Sequence, residues 1–396
     1  MKTRILILLC VATFLPSQDL LGKQQVVIQD GKALVLTPGS STPASTDAKT
    51  DEDKKEDENK RKPGEIVVTT VVEGLNNPFS VAIDNDLDRI FVAESGAQRI
   101  VEIKDGKAVE VAGDFDAQPY RGYNAGPISL FYPGENVLLV GHDSKEGVGA
   151  LTMLKMNPDA EDAAKTDIKR ETTEIETKEG ASKLNQFSNL LVKHAVIYVV
   201  TRGDEENGWI ALAEFQNEKI TSLRPSIATA KLSSFPNPTC STVTPAGEYL
   251  VISQMGKEGA AKDSRLVFYT LQGKMLRNFE VELQDIVSLA YSPSRKHLFA
   301  IDSNSADPSK GGLYKLIGKG AKKCDVKKLQ DLAYATSMAF DSKGNLYITS
   351  LGGPPTTDGK SNGKLIKIEG LDDQPDEPEE DDEAKNETPA KEEASK

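Results

Sequence analysis

Residues 77–104 read NPFSVAIDNDLDRIFVAESGAQRIVEIK, and this stretch decides the fold. Residues 79–83 alternate between small and apolar side chains, residues 89–93 form an apolar run that Glu94 closes, and residues 99–103 alternate again. Alternation at period two indicates strands with one buried face, and the polar pieces between them are typical of tight turns. The stretch therefore predicts three consecutive antiparallel strands.

The same order of strands returns along the chain at intervals of roughly 50 residues, which is the period of a propeller. Six copies together predict an all-β fold, a six-bladed β-propeller. The last copy, residues 335–368, lacks a fourth strand, while residues 66–72 (IVVTTVV) form a strand without a blade. We expect this N-terminal strand to complete the sixth blade, because an open sheet edge invites aggregation. The first strands of the six copies start at Ser80, Ser129, Asn189, Ser241, Ser288 and Ser337.

Composition divides the chain of 396 residues into four parts. Residues 1–22 are predicted as a signal peptide, 23–64 as a disordered, charged, low-complexity linker, 65–370 as the propeller, and 371–396 as a disordered acidic tail. The linker and tail contain too few apolar residues to offset the entropy of ordering. Within the linker region, residues 26–28 and 33–36 flank Asp30-Gly31, the pattern of a small hairpin.

The first residues predict export. Lys2 and Arg4 precede an apolar run over residues 5–15, which Pro16 ends, as in a secretory signal peptide. No run reaches the length of about 18 apolar residues that a membrane-spanning helix needs. We expect a secreted, periplasmic or cell-envelope protein. Cys240 and Cys324, on an inner strand and an outer edge of different blades, are expected to stay unbridged.

Most of the net charge of −13 comes from the tail, so the propeller itself is only weakly acidic. A body without a basic stripe argues against nucleic acid as a partner. We expect a monomer.

Several residues of the first copy resemble an NHL-type repeat: Pro78, Asp84, the Val-Ala-Glu of residues 92–94, Gly96, and the Arg-Ile of residues 99–100. The wider group of six-bladed propellers includes TolB-like and gluconolactonase-like proteins, among them sensors, protein-binding modules and metal-dependent lactonases. The resemblance implies a function of one of these kinds: sensing, protein binding or metal-dependent hydrolysis of a lactone. The lactonases of this group carry Glu-Gly-Pro where this chain has Asn-Asn-Pro at residues 76–78, which argues against their metal chemistry.

Two columns of residues recur in the aligned copies. The small-residue column holds the six strand starts given above, and six strands that converge on one axis need small side chains there. The strand-end column closes the second strand of each copy. Its members would ring the channel mouth, either as solvated strand ends or as a surface that contacts a ligand. The strand-end column consists of Glu94, His142, Arg202, Gln254, Asp302 and Ser350.

Catalytic motifs are scarce. His142 is predicted on the opposite face from His194 and His297, so no two histidines share a site, and no serine-hydrolase, zinc-protease or phosphate-loop motif occurs. No cofactor is expected, although Glu94 and Asp302 are candidate metal ligands for Ca²⁺, which prefers oxygen ligands. The favoured hypothesis is a secreted, non-catalytic propeller that binds a protein, peptide or glycan at the channel mouth. The alternative is a metal-dependent, lactonase-like hydrolase or lyase.

Overall fold

The computed structural model describes residues 25–29, 32–36, 65–156, 168–176, 184–201, 208–216, 219–256, 262–319 and 322–372. The chain divides into two compact units, Met1–Lys60 and Arg61–Lys396. In the first unit, an antiparallel hairpin consists of β1 (Gln25–Gln29) and β2 (Lys32–Leu36). The predicted small hairpin is therefore present. The predicted signal peptide and the tail from residue 373 lie outside the described residues.

The second unit begins with strand β3 (Val67–Leu75) and continues as antiparallel sets of strands, here called repeats 1 to 6. Repeat 1 is followed by a short hairpin, β8 (Gln118–Tyr120) and β9 (Tyr123–Ala125), which pairs only with itself among the described strands. Repeat 1 comprises β4 (Pro78–Asp84), β5 (Arg89–Glu94), β6 (Arg99–Lys104) and β7 (Lys107–Ala112), and repeat 2 comprises β10 (Ser129–Gly134), β11 (Val137–Asp143), β12 (Gly149–Lys155) and β13 (Lys169–Glu174).

Repeats 3 and 4 follow and are joined by the short helix α1 (Thr229–Ser233). In repeat 3, both the two-residue strand β17 (Lys219–Ile220) and strand β18 (Arg224–Ala228) pair with β16 (Trp209–Gln216). Repeat 3 comprises β14 (Phe187–Lys193), β15 (Val196–Thr201), β16 (Trp209–Gln216), β17 (Lys219–Ile220) and β18 (Arg224–Ala228), and repeat 4 comprises β19 (Asn237–Val243), β20 (Tyr249–Met255), β21 (Ser264–Thr270) and β22 (Met275–Val281).

Repeats 5 and 6 complete the unit. Two single turns of 3-10 helix, Ser95–Ala97 in repeat 1 and Pro308–Lys310 in repeat 5, are the other described helical segments. Repeat 5 comprises β23 (Ile286–Tyr291), β24 (Leu298–Asp302), β25 (Gly312–Lys319) and β26 (Lys323–Asp331), and repeat 6 comprises β27 (Ala335–Phe340), β28 (Leu346–Ser350) and β29 (Gly363–Glu369).

The N-terminal strand β3 pairs antiparallel with β29 of repeat 6, from Glu369 opposite Val67 to Gly363 opposite Leu75. The last repeat thus takes its outer strand from the beginning of the unit, as a propeller that avoids an open edge requires. At the other end, Leu371 and Asp372 are buried, two residues beyond the predicted end of the propeller.

The described sheets are propeller-like, but they are not six separate sheets as predicted. Repeats 4 and 5 belong to one eight-stranded sheet, because β22 and β26 pair in parallel where Glu280 and Val281 lie opposite Lys323 and Cys324. The outer edges of two neighbouring sets are therefore joined by hydrogen bonds. Each of the other repeats forms a sheet of four or five strands.

The core lies between consecutive repeats. The first strands contact one another in the order β4, β10, β14, β19, β23, β27 and back to β4. Clusters of buried apolar side chains fill the gaps between neighbouring repeats, for example Phe91 and Leu138 between repeats 1 and 2. Second strands such as β11 are buried along their whole length, whereas the outermost strand β13 (KRETTE) is largely exposed. This gradient explains why second strands read as apolar runs.

Cys240 and Cys324 are both buried and free, as expected. Among the described residues, no helix is long and apolar enough to cross a membrane.

Candidate functional site

The described members of the strand-end column are buried rather than solvated. Glu94, His142 and Asp302 are about 5% exposed or less, and Gln254 and Ser350 are at most 1% exposed. Arg202 lies outside the described residues. Strand register gives the third repeat a different residue at this position. Thr201 pairs with Phe187 as Glu94 pairs with Pro78, so the sequence alignment of repeat 3 was wrong by one residue.

Four of these side chains hold the connection that leads into the first strand of their own repeat. Glu94 Oε1 accepts a hydrogen bond from the Asn76 backbone N–H at 2.9 Å. Gln254 Nε2 donates to the carbonyl of Phe235 at 2.9 Å, and Ser350 Oγ donates to that of Ala333 at 2.9 Å. Buried polar groups in folded proteins are paired in this way. The fourth such side chain belongs to Asp302.

Asp302 accepts three backbone hydrogen bonds. Its Oδ1 accepts from the N–H groups of Asp285 (2.9 Å) and Asn304 (3.0 Å), and its Oδ2 accepts from that of Gln284 (3.2 Å). The Glu94 carboxylate is occupied as well, because its Oε2 accepts from Arg99 Nε at 2.7 Å. Both candidate calcium ligands therefore already have donors. Within the described parts of the chain, no three His, Cys, Asp or Glu side chains form a group that could hold a metal ion.

His142 bonds within its own repeat. Nε2 lies 2.8 Å from Thr152 Oγ1, and Nδ1 lies 3.1 Å from the carbonyl oxygen of Asp143, so Nδ1 carries the proton and donates. Burial lowers the pKa of His142 to about 4. The imidazole is neutral at neutral pH and acts as a structural hydrogen-bonding group. That the strand-end column binds a ligand stays a prediction.

The small-residue column connects neighbouring repeats. Ser80 Oγ accepts from the Leu130 backbone N–H of the next repeat at 3.0 Å, and Ser288 Oγ accepts from that of Met338 at 3.1 Å. In repeat 3, Asn189 Oδ1 accepts from the backbone N–H of Ser241 at 3.0 Å. These hydroxyl and amide groups thus bond to the adjacent strand. Register also shows that Cys240, not Ser241, occupies the column in repeat 4.

A third column, one residue before the small-residue column, lines the channel. In five of the first strands the pairing register shifts by one residue at this position, which marks a β-bulge. A bulge re-aims the extra side chain, and bulges are frequent beside active sites. In repeat 2 the corresponding residue directly precedes β10. The bulge column consists of Phe79, Ile128, Ser188, Thr239, Val287 and Thr336, and all six line one cavity.

This central cavity has a volume of about 340 Å³ and is lined mainly by aromatic and apolar side chains. Phe79 meets the rings of Tyr120 and Tyr123 edge to face, with centroids 5.6 and 6.2 Å apart. The Arg121 guanidinium lies 5.5 Å from the centroid of Tyr120, and Tyr334 lines the same cavity. A concave, mostly apolar site with a few polar groups is the usual form of a small-molecule site.

Two segments, together called the cap, contribute to the cavity: the hairpin β8–β9 and the loop of residues 351–362. Arg121 (φ 49°) and Gly122 (φ 83°) form the hairpin turn, and two successive positive φ values indicate a type I′ turn. Tyr123 Oη donates to the carbonyl of Gly353 at 2.8 Å, and the Asn124 N–H donates to that of Gly359 at 2.9 Å. The two segments therefore hold each other.

Asn77 anchors the cap to repeat 1. Its buried Nδ2 donates to the carbonyls of Asn124 (2.8 Å) and Gly359 (2.7 Å), one in each segment of the cap. Asn77 also has a positive φ of 49°, which asparagine adopts more readily than most residues. The Asn-Asn-Pro sequence before the first strand thus fixes the cap.

Tyr334 at the cavity wall has a strained backbone, with φ at 57°. An aromatic residue in the left-handed region costs about 1–3 kcal/mol, and such residues cluster at functional sites. Its backbone is held on both sides, because its N–H donates to the Pro308 carbonyl (3.0 Å) and its carbonyl accepts from Leu351 (2.9 Å). Burial, with Tyr334 nearby, raises the pKa of Tyr123 to about 12, so Tyr123 stays protonated.

One polar pair adjoins the cavity. Ser305 lines the wall, and its hydroxyl donates to Oδ2 of Asp285, which also accepts from the Ser305 N–H at 2.7 Å. Asp285 is fully buried, and its Oδ1 has no hydrogen-bond partner among the described residues. A buried carboxylate that orients a hydroxyl at a cavity wall has the arrangement of a base beside a nucleophile.

Sequence reasoning missed this cavity. Its residues lie one position from a column that the alignment did find, and the bulge that separates the two columns leaves no mark in a period-two pattern. Two local signals were available: the Tyr-Arg-Gly-Tyr turn of residues 120–123, and the Gly-Gly-Pro-Pro of residues 352–355.

No protein-family model matches the chain, and no curated protein gives a significant match. Solved structures do share its fold. The PQQ-bound aldose sugar dehydrogenase of Streptomyces coelicolor is 12% identical, with a TM-score of 0.52 over 78% of this chain and 99% of that one. A gluconolactonase of Xanthomonas campestris is 10% identical, with a TM-score of 0.51 over 77% and 90%. A luciferin-regenerating enzyme is 14% identical, with a TM-score of 0.51 over 78% and 96%.

At these identities the likeness shows the fold alone, a β-propeller like that of gluconolactonase. The comparison also corrects two expectations. The three proteins are enzymes, which contradicts the favoured hypothesis of a non-catalytic binding propeller. One of them holds PQQ, which contradicts the expectation that no cofactor beyond calcium is involved. The NHL-type repeat stays a prediction.

The central cavity of this chain does not fit PQQ or a carboxylate-held metal ion. PQQ is a tricarboxylate, and Arg121 is the single cationic side chain among the described lining residues. Those lining residues include no carboxylate and no imidazole. The groups that can take part in a reaction there are therefore the hydroxyl groups of the lining, Arg121, and the Asp285 carboxylate behind Ser305.

Proposed function

We propose that the chain is a lactonase-like hydrolase that opens a small cyclic ester in the central cavity. The Ser305–Asp285 pair is the observation that carries this proposal. It places a hydroxyl that is hydrogen-bonded to a buried carboxylate at the wall of a mostly apolar cavity. A carboxylate that accepts a proton raises the nucleophilicity of the hydroxyl. The enzymes that share the fold support a catalytic reading.

In the proposed reaction, Ser305 Oγ adds to the carbonyl carbon while its proton passes to Asp285. The ring C–O bond then breaks, and the alkoxide formed takes the proton from Asp285. Water then adds to the ester carbonyl carbon while its proton passes to Asp285. The bond from that carbon to Ser305 Oγ breaks, Oγ takes the proton back from Asp285, and the hydroxy acid leaves. Arg121, which lines the same cavity, is the cation available to stabilise the negative charge that develops on the carbonyl oxygen.

The cavity lining sets the substrate class. Phe79, Tyr120 and Tyr123 form an aromatic wall, and Tyr123, with a pKa of about 12, presents a neutral ring. Burying aromatic surface stabilises an apolar ligand, and edge-to-face contacts add about 0.5–1.5 kcal/mol each. We therefore propose an aromatic or other apolar lactone rather than a polar sugar lactone.

We also propose the number of blades, the domain limits and the cellular compartment of the protein. We propose six blades, with repeats 4 and 5 as two blades joined at their outer edges. Support comes from the closed series of contacts among the first strands. We also keep the predicted domain limits near residues 22, 64 and 370, the export signal at the N-terminus, action as a monomer outside the cytoplasm, and the NHL-like character of repeat 1.

Hydrolysis of dihydrocoumarin, an aromatic lactone, tests the proposed function. Acid release by the purified full chain is followed by pH-stat titration, and turnover above the spontaneous rate is expected. Ser305→Ala and Asp285→Asn are expected to lower kcat/KM by at least about 100-fold, the usual scale for loss of a base or nucleophile. Ser309→Ala is the matched control, because that exposed hydroxyl bonds only to Asp307 among the described residues.

Turnover that survives in Ser305→Ala would place the chemistry elsewhere. Absence of turnover across aromatic and aliphatic lactones would refute the hydrolase proposal itself. Circular dichroism of each variant separates loss of chemistry from loss of fold.

A further inference from the structure

A second cavity, of about 420 Å³, lies between repeats 4 and 5 and shares no lining residue with the central cavity. Repeat 4 contributes Leu266, Phe268 and Phe279 from β21 and β22, and repeat 5 contributes residues of β23, β25 and β26. The parallel pair of β22 and β26 joins the two repeats beside this cleft. The cleft is thus built from fixed strands rather than from loops.

Lys315 lies in the wall of the cleft and is only 8% exposed. Its Nζ lies 3.4 Å from Nε2 of His297, and no carboxylate forms an ion pair with it among the described residues. Lysine is almost never buried to this extent without a partner of opposite charge, because desolvating an ammonium group is costly. The cleft therefore contains a buried cation and lacks a described anion to balance it.

Most of the wall around Lys315 is apolar and aromatic, and the exposed Lys296 also lines the cleft. Phe268 and Phe279 meet edge to face with ring centroids 5.5 Å apart, and both line the cleft together with Tyr291 and Leu316. Burial raises the pKa of Tyr291 to about 12, so its hydroxyl remains a hydrogen-bond donor at neutral pH. The cleft combines a cation and a neutral donor with a large apolar surface.

Nearby acidic groups are already engaged with other cations. Glu280 pairs with Arg265 at 2.8 Å, and Asp325 pairs with Lys319 at 3.1 Å. Cys324, which also lines the cleft, stays a neutral thiol because burial raises its pKa to about 11. Neither the thiol nor these two carboxylates supplies the missing negative charge.

We infer that this cleft is a second ligand site, for a small amphipathic anion with a carboxylate head and an apolar, aromatic-sized body. The head group takes the place of the absent counter-ion at Lys315, beside His297, and the body packs against Phe268 and Phe279 in the apolar part of the cleft. The site is independent of the proposed lactone chemistry, which uses different residues.

The test uses 4-phenylbutyrate as the probe and its amide, 4-phenylbutanamide, as the uncharged match. Isothermal titration calorimetry of the full chain is expected to show binding of one phenylbutyrate and at least tenfold weaker binding of the amide. Lys315→Met keeps most of the side-chain volume and removes the charge, so the acid and the amide are expected to bind it equally.

Lys327→Met is the control, since Lys327 pairs with Lys315 across β25 and β26 but is exposed. It is expected to bind phenylbutyrate as the unmodified chain does. Ser305→Ala should also retain binding, which separates this site from the central cavity. Equal affinity of the unmodified chain for acid and amide, absence of binding at millimolar phenylbutyrate, or undiminished binding by Lys315→Met would each overturn the inference.

If Lys315→Met does not fold, reductive methylation of lysines in the chain without substitutions tests the inference instead. Mass spectrometry should show Lys315 protected by phenylbutyrate and not by the amide. Unchanged methylation of Lys315 in the presence of phenylbutyrate would contradict the inference.

Discussion

Two columns of the inner strands are one residue apart and have opposite roles. Ser80 and Ser288, in the small-residue column, turn toward the next repeat and accept its backbone N–H groups. Phe79 and Val287, in the bulge column, line the central cavity. A one-residue bulge separates them, so a single extra residue divides the inner strand between bonding to the next repeat and lining the central cavity.

Four side chains of the strand-end column also stabilise the fold, because they bond to backbone groups at the entry to the first strand of their repeat. Asp302 is the clearest case, because three backbone N–H groups donate to its carboxylate. From the sequence, this residue was a candidate for a ligand-binding rim, where its removal would cost little stability. Because Asp302 is buried, we expect its removal to lower the free energy of unfolding strongly instead.

The largest effect is expected for Asp302→Ala. Loss of the carboxylate leaves buried donors without an acceptor, and hydrogen bonds to charged groups contribute about 1.5–3 kcal/mol each. The free energy of unfolding, measured by urea denaturation, is expected to fall by about 4 kcal/mol or more, because three such bonds are lost. Asp325→Ala removes an exposed carboxylate paired with Lys319, and a loss below about 1 kcal/mol is expected there. Equal losses of stability in the two variants would show that Asp302 does not stabilise the fold through these hydrogen bonds.

The next effect concerns pH. The folded pKa of His142 is about 4 against an ordinary value of 6.5, so between these values the unfolded chain binds the extra proton. Stability is therefore lost as pH falls from about 6.5 to 4, by up to about 3 kcal/mol. Burial raises the pKa of neighbouring Asp143, and protonation there acts in the opposite direction. Urea denaturation across this range should show a steeper acid loss for the unmodified chain than for His142→Gln. Parallel curves would exclude the role assigned to His142.

A smaller effect is expected for Ser80→Ala. The variant removes the acceptor of the Leu130 N–H between repeats 1 and 2, which should cost about 1–2 kcal/mol. Ser309→Ala, at an exposed hydroxyl, should cost less than about 0.5 kcal/mol. If thermal unfolding fails to distinguish the two variants, the small-residue column does not stabilise the ring in the way proposed.

The sequence was sufficient for the repeats and for the closing strand. Apolar runs such as residues 137–143 follow directly from burial, and pairing of β3 with β29 follows from the missing outer strand of repeat 6. Residues 99–103 form the expected strand, but residues 100–102 are all buried, so both of its faces are covered rather than one. The joined sheet of repeats 4 and 5 could not be predicted, because the parallel contact of β22 with β26 depends on how closely two outer edges approach.

The residues of the candidate site could not be predicted from the sequence, because the register of the strand pairing was not known. Period-two alternation assigns side chains to faces only while the pairing is regular, and a bulge shifts that assignment by one residue. The alignment also placed Arg202 where the register has Thr201 and Ser241 where it has Cys240, because the turn between the first and second strands differs in length among the repeats. The Ser305–Asp285 pair is likewise invisible in sequence, because its 20-residue separation matches no catalytic motif.

Cysteine accessibility tests the central claim most directly, because it needs no knowledge of the substrate. Val287→Cys and Ser288→Cys place a thiol at adjacent positions. Of the three native cysteines, Cys240 and Cys324 are buried, and Cys10 lies in the predicted signal peptide. The variants are treated with methyl methanethiosulfonate, and modification is followed by mass spectrometry against the unmodified chain. The account predicts rapid modification of the thiol at position 287, in the central cavity, and protection of the one at position 288. Protection at 287 with modification at 288 would contradict it.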